Sequence, residues 1–126
     1  MKEWIIVLLT DLILPVLVVI AGLILQHRPP NSINALFGYR TERSMSSQEA
    51  WDFSQVYSGK KMTVLGILAF PVTLLLHLPF YGAGEDVLGV VSIICVILQC
   101  ACLAIPIVQT ERALKAHFNS DGTPKA

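Results

Sequence analysis

Three apolar runs, each long enough to cross a bilayer, constrain this chain more than any other feature. The first goes from Trp4 to about Leu25 and is interrupted only by Thr10, Asp11 and Pro15; the second goes from Met62 to Phe80; the third goes from Val87 to about Val108. About 22 helical residues at roughly 1.5 Å each cover about 33 Å, the thickness of the hydrocarbon core. None of the runs has the one-sided polarity of a surface helix. Composition agrees: 54% of the 126 residues are hydrophobic and 14% are charged, against about 25% charged in a typical soluble domain. The predicted fold class is an all-α membrane protein, with three transmembrane helices and a cytoplasmic loop, residues 26–61, that contains a short interfacial helix. It forms a single domain over residues 1–126. The first run is too long for a signal-peptide core, holds an acid, and is not followed by a small-residue cleavage site, so it is expected to be retained.

Lysine and arginine set the orientation. With three spans, the N terminus and the turn Tyr81–Asp86 share one side, and the loop and tail share the other. The first side carries only Lys2; the second carries Arg28, Arg40, Arg43, Lys60, Lys61, Arg112, Lys115 and Lys125. The positive-inside rule then predicts an outside N terminus and a cytoplasmic C terminus. The formal net charge is zero, which suggests no direct nucleic-acid partner.

Pro29-Pro30 is expected to stop the first helix. Ser46-Ser47-Gln48-Glu49 reads as a capping box, with Ser46 at N-cap and Glu49 at N3. A helix from Ser47 to about Ser58 follows, its Ala50, Trp51, Phe53, Val56 and Tyr57 forming an apolar face suited to the membrane interface, and Gly59 separates it from the second span. Thr110–Phe118 reads as another short helix, ended by the turn Asn119-Ser120-Asp121-Gly122.

The densest polar constellation is Asn34 to Met45. Gly38 can adopt backbone angles closed to other residues. Arg40 and Arg43 offer planar donor forks suited to a carboxylate or phosphate, and Thr41 and Ser44 can hydrogen-bond backbone or ligand. Lipid headgroups, a peptide acid and the chain's own tail all fit this chemistry, and so does a plain role as topology anchors and turn formers. Asp11 is a second candidate. An acid inside a span costs a few kcal/mol and marks a functional hypothesis. His77 is the one basic side chain within the other two spans, and the two depths agree within about 5 Å, so the two are expected to pair. The competing reading leaves Asp11 near water or at the Pro15 kink.

Cys95, Cys100 and Cys102 lack the paired spacing of a zinc or redox site and read as small packing residues. His27, His77 and His117 are too scattered in sequence for a metal site. There is no nucleotide-binding glycine loop, no HExxH, no paired active-site carboxylates and no Ser-His-Asp pattern, so neither an enzyme nor a bound cofactor is expected. Pro15, Pro71, Pro79 and Pro106 predict kinks.

Asn34, then Gly38-Tyr39-Arg40-Thr41, Ser44-Met45, Glu49, Trp51 and Gly59-Lys60 together resemble the signature of the SdpI/YfhL family of bacterial membrane proteins. Thr110-Glu111-Arg112-Ala113-Leu114-Lys115, with Phe118 and Asp121-Gly122, is similar to the end of its short members. The name-giving member, which has additional spans ahead of the shared region, is an immunity protein against a secreted, membrane-active peptide toxin. It also acts as a receptor that holds a transcriptional repressor at the membrane. The resemblance therefore implies a bacterial plasma-membrane protein whose partners are membrane lipids, a peptide toxin and a cytoplasmic regulator, with a motif of Asn34, Gly38, Tyr39, Arg40, Thr41, Arg43, Ser44, Glu49 and Trp51. A small transporter or channel that works as a homo-oligomer is the alternative, because three helices enclose little space; Asp11, His77 and the prolines favour it.

The orientation has a direct test. A cysteine placed at position 47 should resist labelling from outside intact cells, and one at position 83 should label. The reverse pattern would invert the topology and move the motif loop outside.

Overall fold

The computed structural model describes residues 1–125. The chain runs through α1 (Lys2–Asp11), α2 (Ile13–His27), α3 (Gln48–His77), a single 3-10 turn (Leu78–Phe80), α4 (Glu85–Cys102) and α5 (Ala104–His117). These join into three rods, Lys2–His27, Gln48–Phe80 and Glu85–His117, each long and apolar enough to cross a membrane. Many large apolar side chains, among them Ile6, Leu9, Ile67, Leu75, Ile93 and Ile97, point away from the protein. That is the surface expected where lipid rather than water is the solvent.

Prolines account for the two breaks. Pro15 has no N–H to give the carbonyl of Asp11, and Pro106 none to give Cys102. The first rod steps at Leu12 and the third at Leu103, each three residues ahead of its proline. Pro71 is accommodated inside the continuous α3.

The most extensive helix contact is between α2 and α3, and three glycines permit it. A methyl added at Gly22 would lie 2.7 Å from the Thr63 backbone nitrogen and 2.8 Å from the Gly59 carbonyl oxygen. One added at Gly59 would lie 2.7 Å from Gln26 N and from Gly22 O, and one at Gly66 would lie 3.0 Å from Pro15 O. Small residues let backbones approach in this way, and close packing replaces the hydrophobic drive that lipid removes.

Gly59 therefore does not separate a short interfacial helix from the second span. It lies within the 30-residue α3, because its missing side chain is what seats α2. The N-cap is Ser47, not Ser46: Ser47 Oγ accepts from Ala50 N at 3.0 Å. Ser46 Oγ instead donates to the Arg43 carbonyl at 2.6 Å, and Glu49 sits exposed in the first turn. The face expected at the membrane interface is also partly internal. Ala50 and Trp51 are fully buried with Ser54, Gln55 and Ser58, and Trp51 Nε1 donates to the Pro30 carbonyl at 2.8 Å. Phe53 stacks on Tyr57 and meets His117 and Phe118. The tail helix is no separate element either, for α5 prolongs the third rod through His117.

Each side of the bundle is tied. On the N-terminal side, Trp4 Nε1 donates to the His77 carbonyl at 2.8 Å and its ring meets Tyr81 edge-on. On the other side, the tail turns at Gly122, whose φ of 87° suits glycine, and the Gly122 carbonyl accepts from Ser47 Oγ at 2.7 Å.

Substitution at the glycines separates seam from surface. Gly22→Ala and Gly59→Ala should each lower stability in detergent by about 1–3 kcal/mol through overpacking. Gly89→Ala, where the added methyl meets nothing within 4 Å, should leave the melting temperature unchanged. Equal behaviour of all three would refute the close α2–α3 contact.

Candidate functional site

Two polar assemblies stand out, one within the spans and one at the loop. The first is built on Asp11. The step at Leu12 leaves the Asp11 carbonyl without its helical donor, and Gln99 Nε2 fills the gap at 2.9 Å. The carboxylate is 2% exposed and His77 0%. Asp11 Oδ2 lies 2.8 Å from His77 Nε2, and Oδ1 accepts from Ser92 Oγ at 2.7 Å. On the far side of the ring, His77 Nδ1 lies 2.8 Å from the Thr73 carbonyl oxygen. A carbonyl only accepts, so Nδ1 carries a hydrogen. The contact between Nε2 and Oδ2 then needs one more proton shared between them. The pair is neutral as a unit, as a buried pair in a low-dielectric bundle requires.

Asp11 and His77 thus meet within a single protomer. Thr73, Ser92, Cys95 and Gln99 join them, and their part was not anticipated. Their spacing held a signal: Ser92, Cys95 and Gln99 follow at three and four residues along α4, and Thr73 and His77 at four along α3, so each set shares a helix face. Cys95 is not a bystander in an apolar layer. Ligand atoms of Asp11, His77 and Cys95 all lie within 4.8 Å of one another. The scatter of histidines along the sequence hid this group, which draws a single residue from each of three helices.

The second assembly is the loop, and most of the motif turns out to hold it in shape. Asn34 Oδ1 accepts from the backbone N–H groups of Leu36 and Phe37, at 2.9 and 2.7 Å. Gly38 has a φ of 114°, and a methyl there would lie 2.6 Å from Gln55 Oε1. The Gln55 amide clamps the next residue, accepting from Tyr39 N at 2.7 Å and donating to Tyr39 O at 2.8 Å. Thr41 and Ser44 bond each other's backbone, and Ser44 Oγ also donates to the Tyr39 carbonyl at 3.1 Å. Tyr39 OH donates to Glu111 Oε1 at 2.6 Å, fastening the loop to α5. Burial first, and then that carboxylate, hold the Tyr39 phenol well above the usual tyrosine range.

Arg40, Arg43 and Glu49 stand apart from this scaffold. Arg40 is exposed and uses Nε to donate to the Asn34 carbonyl at 2.8 Å. Arg43 Nε lies 4.0 Å from Glu111 Oε2, a partly exposed pair worth at most about 1 kcal/mol. Gln55, fully buried at the centre of the clamp, was missed, because one glutamine on a helix gives no sign that a loop closes over it.

With this geometry established, comparison with known proteins identifies the family. The SdpI/YfhL protein family matches residues 31–110. The uncharacterized protein YfhL of Bacillus subtilis (strain 168) is 35% identical over 106 residues, covering 84% of this chain and 86% of that protein. The chain belongs to the SdpI/YfhL family. No solved structure matches it. The matched stretch takes in the loop clamp, His77, Ser92, Cys95 and Gln99, whereas Asp11 precedes it.

Buried pairing has a thermodynamic signature. Asp11→Asn and His77→Gln should each cost about 3–5 kcal/mol in detergent unfolding. The double variant should fall short of the sum by about 1 kcal/mol or more, since the second change removes a partner already lost. Strict additivity would mean that the two side chains act independently.

Proposed function

We propose that this protein is a membrane immunity or receptor protein of the bacterial plasma membrane, protecting its cell against a membrane-active peptide toxin. Its N terminus faces outward, and its loop engages a lipid or regulator on the cytoplasmic side. Family membership supports the reading, together with what the motif's resemblance implies for the name-giving member. The observation that carries it is the loop's construction. Six of the nine motif residues, Asn34, Gly38, Tyr39, Thr41, Ser44 and Trp51, build or brace a rigid platform, which leaves Arg40 facing outward beside Leu36, 95% exposed, and the half-exposed Phe37. A cation flanked by apolar side chains suits an amphipathic partner at a membrane surface. Beneath it, a cleft of about 550 Å³ runs from Leu36 and Arg40 down to Leu25, Met62, Leu103 and Ile107. Leu103 is the step between α4 and α5, so an occupant of the cleft bears directly on the joint that leads to the tail.

The alternative, a small oligomeric transporter or channel, is favoured by the buried Asp11–His77 pair, which holds a proton within a span.

A sensitivity test distinguishes them. Cells lacking the gene should be killed by membrane-active peptides from related strains and rescued by the wild-type chain. Arg40→Lys keeps the charge but loses the planar fork, so at equal membrane abundance its rescue should fall by about tenfold or more, the scale of a lost charge-assisted hydrogen bond. Full rescue by Arg40→Lys would rule out the fork, and no toxin sensitivity in the deletion strain would count against immunity.

A further inference from the structure

The meeting of Asp11, His77 and Cys95 has chemistry beyond pairing. We propose that these three side chains form a binding site for a divalent transition metal of the zinc type, with Asp11 Oδ2, His77 Nε2 and Cys95 Sγ as ligands. The three atoms come from α1, α3 and α4, lie within 4.8 Å of one another, and belong to buried residues. One oxygen, one imidazole nitrogen and one sulfur is a donor set that zinc accepts, whereas magnesium and calcium require oxygen throughout.

The surroundings support ligation. His77 Nδ1 is engaged by the Thr73 carbonyl, the outer contact that orients a ligating histidine and leaves its Nε2 lone pair for the metal. The second Asp11 oxygen is held by Ser92 Oγ at 2.7 Å. Gln99, one turn beyond Cys95 on α4, adds an independent sign. Its Nε2 donates to the Asp11 carbonyl and to Thr73 Oγ1, while its Oε1 is buried and has no hydrogen-bond partner among the described residues. That orphaned acceptor sits on the residue whose amide nitrogen touches both Asp11 and Thr73, so the polar cluster is not fully satisfied by the protein's own groups. A cavity of about 260 Å³ with mostly apolar walls borders the cluster at Thr73, Cys95 and Gln99.

Charge fits, and the ligand atoms, which lie within 4.8 Å of one another, must adjust to close around a metal. Tetrahedral zinc with ordinary bond lengths separates nitrogen and oxygen ligands by about 3.3 Å, and either from sulfur by about 3.6 Å. Asp11 Oδ2 and His77 Nε2, at 2.8 Å, need to part by about half an ångström. When the metal binds, the Cys95 thiol proton and the proton shared by Asp11 and His77 leave to water. A dication held by carboxylate, thiolate and neutral imidazole sums to zero, so the span is not left with a net charge.

The test uses the full chain, purified in detergent, stripped with a chelator and titrated with Co²⁺. One Co²⁺ per chain should bind with a thiolate-to-cobalt charge-transfer band and tetrahedral visible bands, and Zn²⁺ should displace it. Cys95→Ser should abolish the charge-transfer band and weaken Zn²⁺ binding about tenfold or more. A Cys100→Ser/Cys102→Ser chain, in which Cys95 is the sole thiol, should keep the band, so the outcome does not depend on whether Cys95→Ser folds. Absence of the band in folded wild-type protein, or its loss from the chain retaining only Cys95, would overturn the site and leave a proton-sharing pair with a neighbouring thiol.

Discussion

Inside a bilayer no water is available to satisfy a polar group, and the rest of this structure follows from that constraint. Each proline in a span frees a carbonyl, and each polar side chain must find a partner within the protein. The Asp11 carbonyl freed by Pro15 receives Gln99. The acid itself receives His77 and Ser92. Thr10, Thr63 and Thr110 return their hydroxyls to carbonyls one turn back in their own helices, the usual solution for threonine in a helix. The polar atoms that remain draw the three rods together, since the partners of one rod lie on the others.

The two ends of the bundle are tied by different means. On the N-terminal side a buried neutral pair and its hydrogen-bonding neighbours join α1, α3 and α4. On the other side, the loop is locked to α3 through Gln55 and to α5 through Tyr39 and Glu111. Between them lies the α2–α3 seam, where glycines bring the backbones into contact, and the step at Leu103, which divides the third rod. The α2–α3 contact is the most extensive, and the third rod packs on the other two through α5 against α3 and α4 against α1.

Length and composition made the three spans legible, because runs of apolar residues have few alternatives in a chain this short. The tail turn was legible from Asn119 to Gly122 for a similar local reason. The Asp11–His77 meeting could be expected from depth alone, since spans of known direction place residues at calculable heights. Cys95 and Gln99 could not be ranked that way: a cysteine in an apolar run is most often packing, and only the rotation of α4 about its axis turns this one inward. In sequence the loop's arginines and glycine fit ligand binding and turn formation equally. The fold assigns Gly38 and most of the polar residues to support, because the buried amide of Gln55 fills the place a side chain at position 38 would need.

The sequence by itself determined what local chemistry can dictate: three apolar helices, their breaks near prolines, the charge asymmetry of the connecting segments and a loop rich in turn formers. Tertiary structure decided where neighbours compete. Gly59 and the Ser46/Ser47 pair show why. A glycine after a short helix reads as a separator, yet α2 packs against its bare backbone and the helix runs on. Two adjacent serines are equivalent as caps until one is engaged by the Arg43 carbonyl and the other by the tail. Helix rotation, cap choice and ligand grouping all depend on residues far apart in the chain, and only packing brings those residues within a few ångströms.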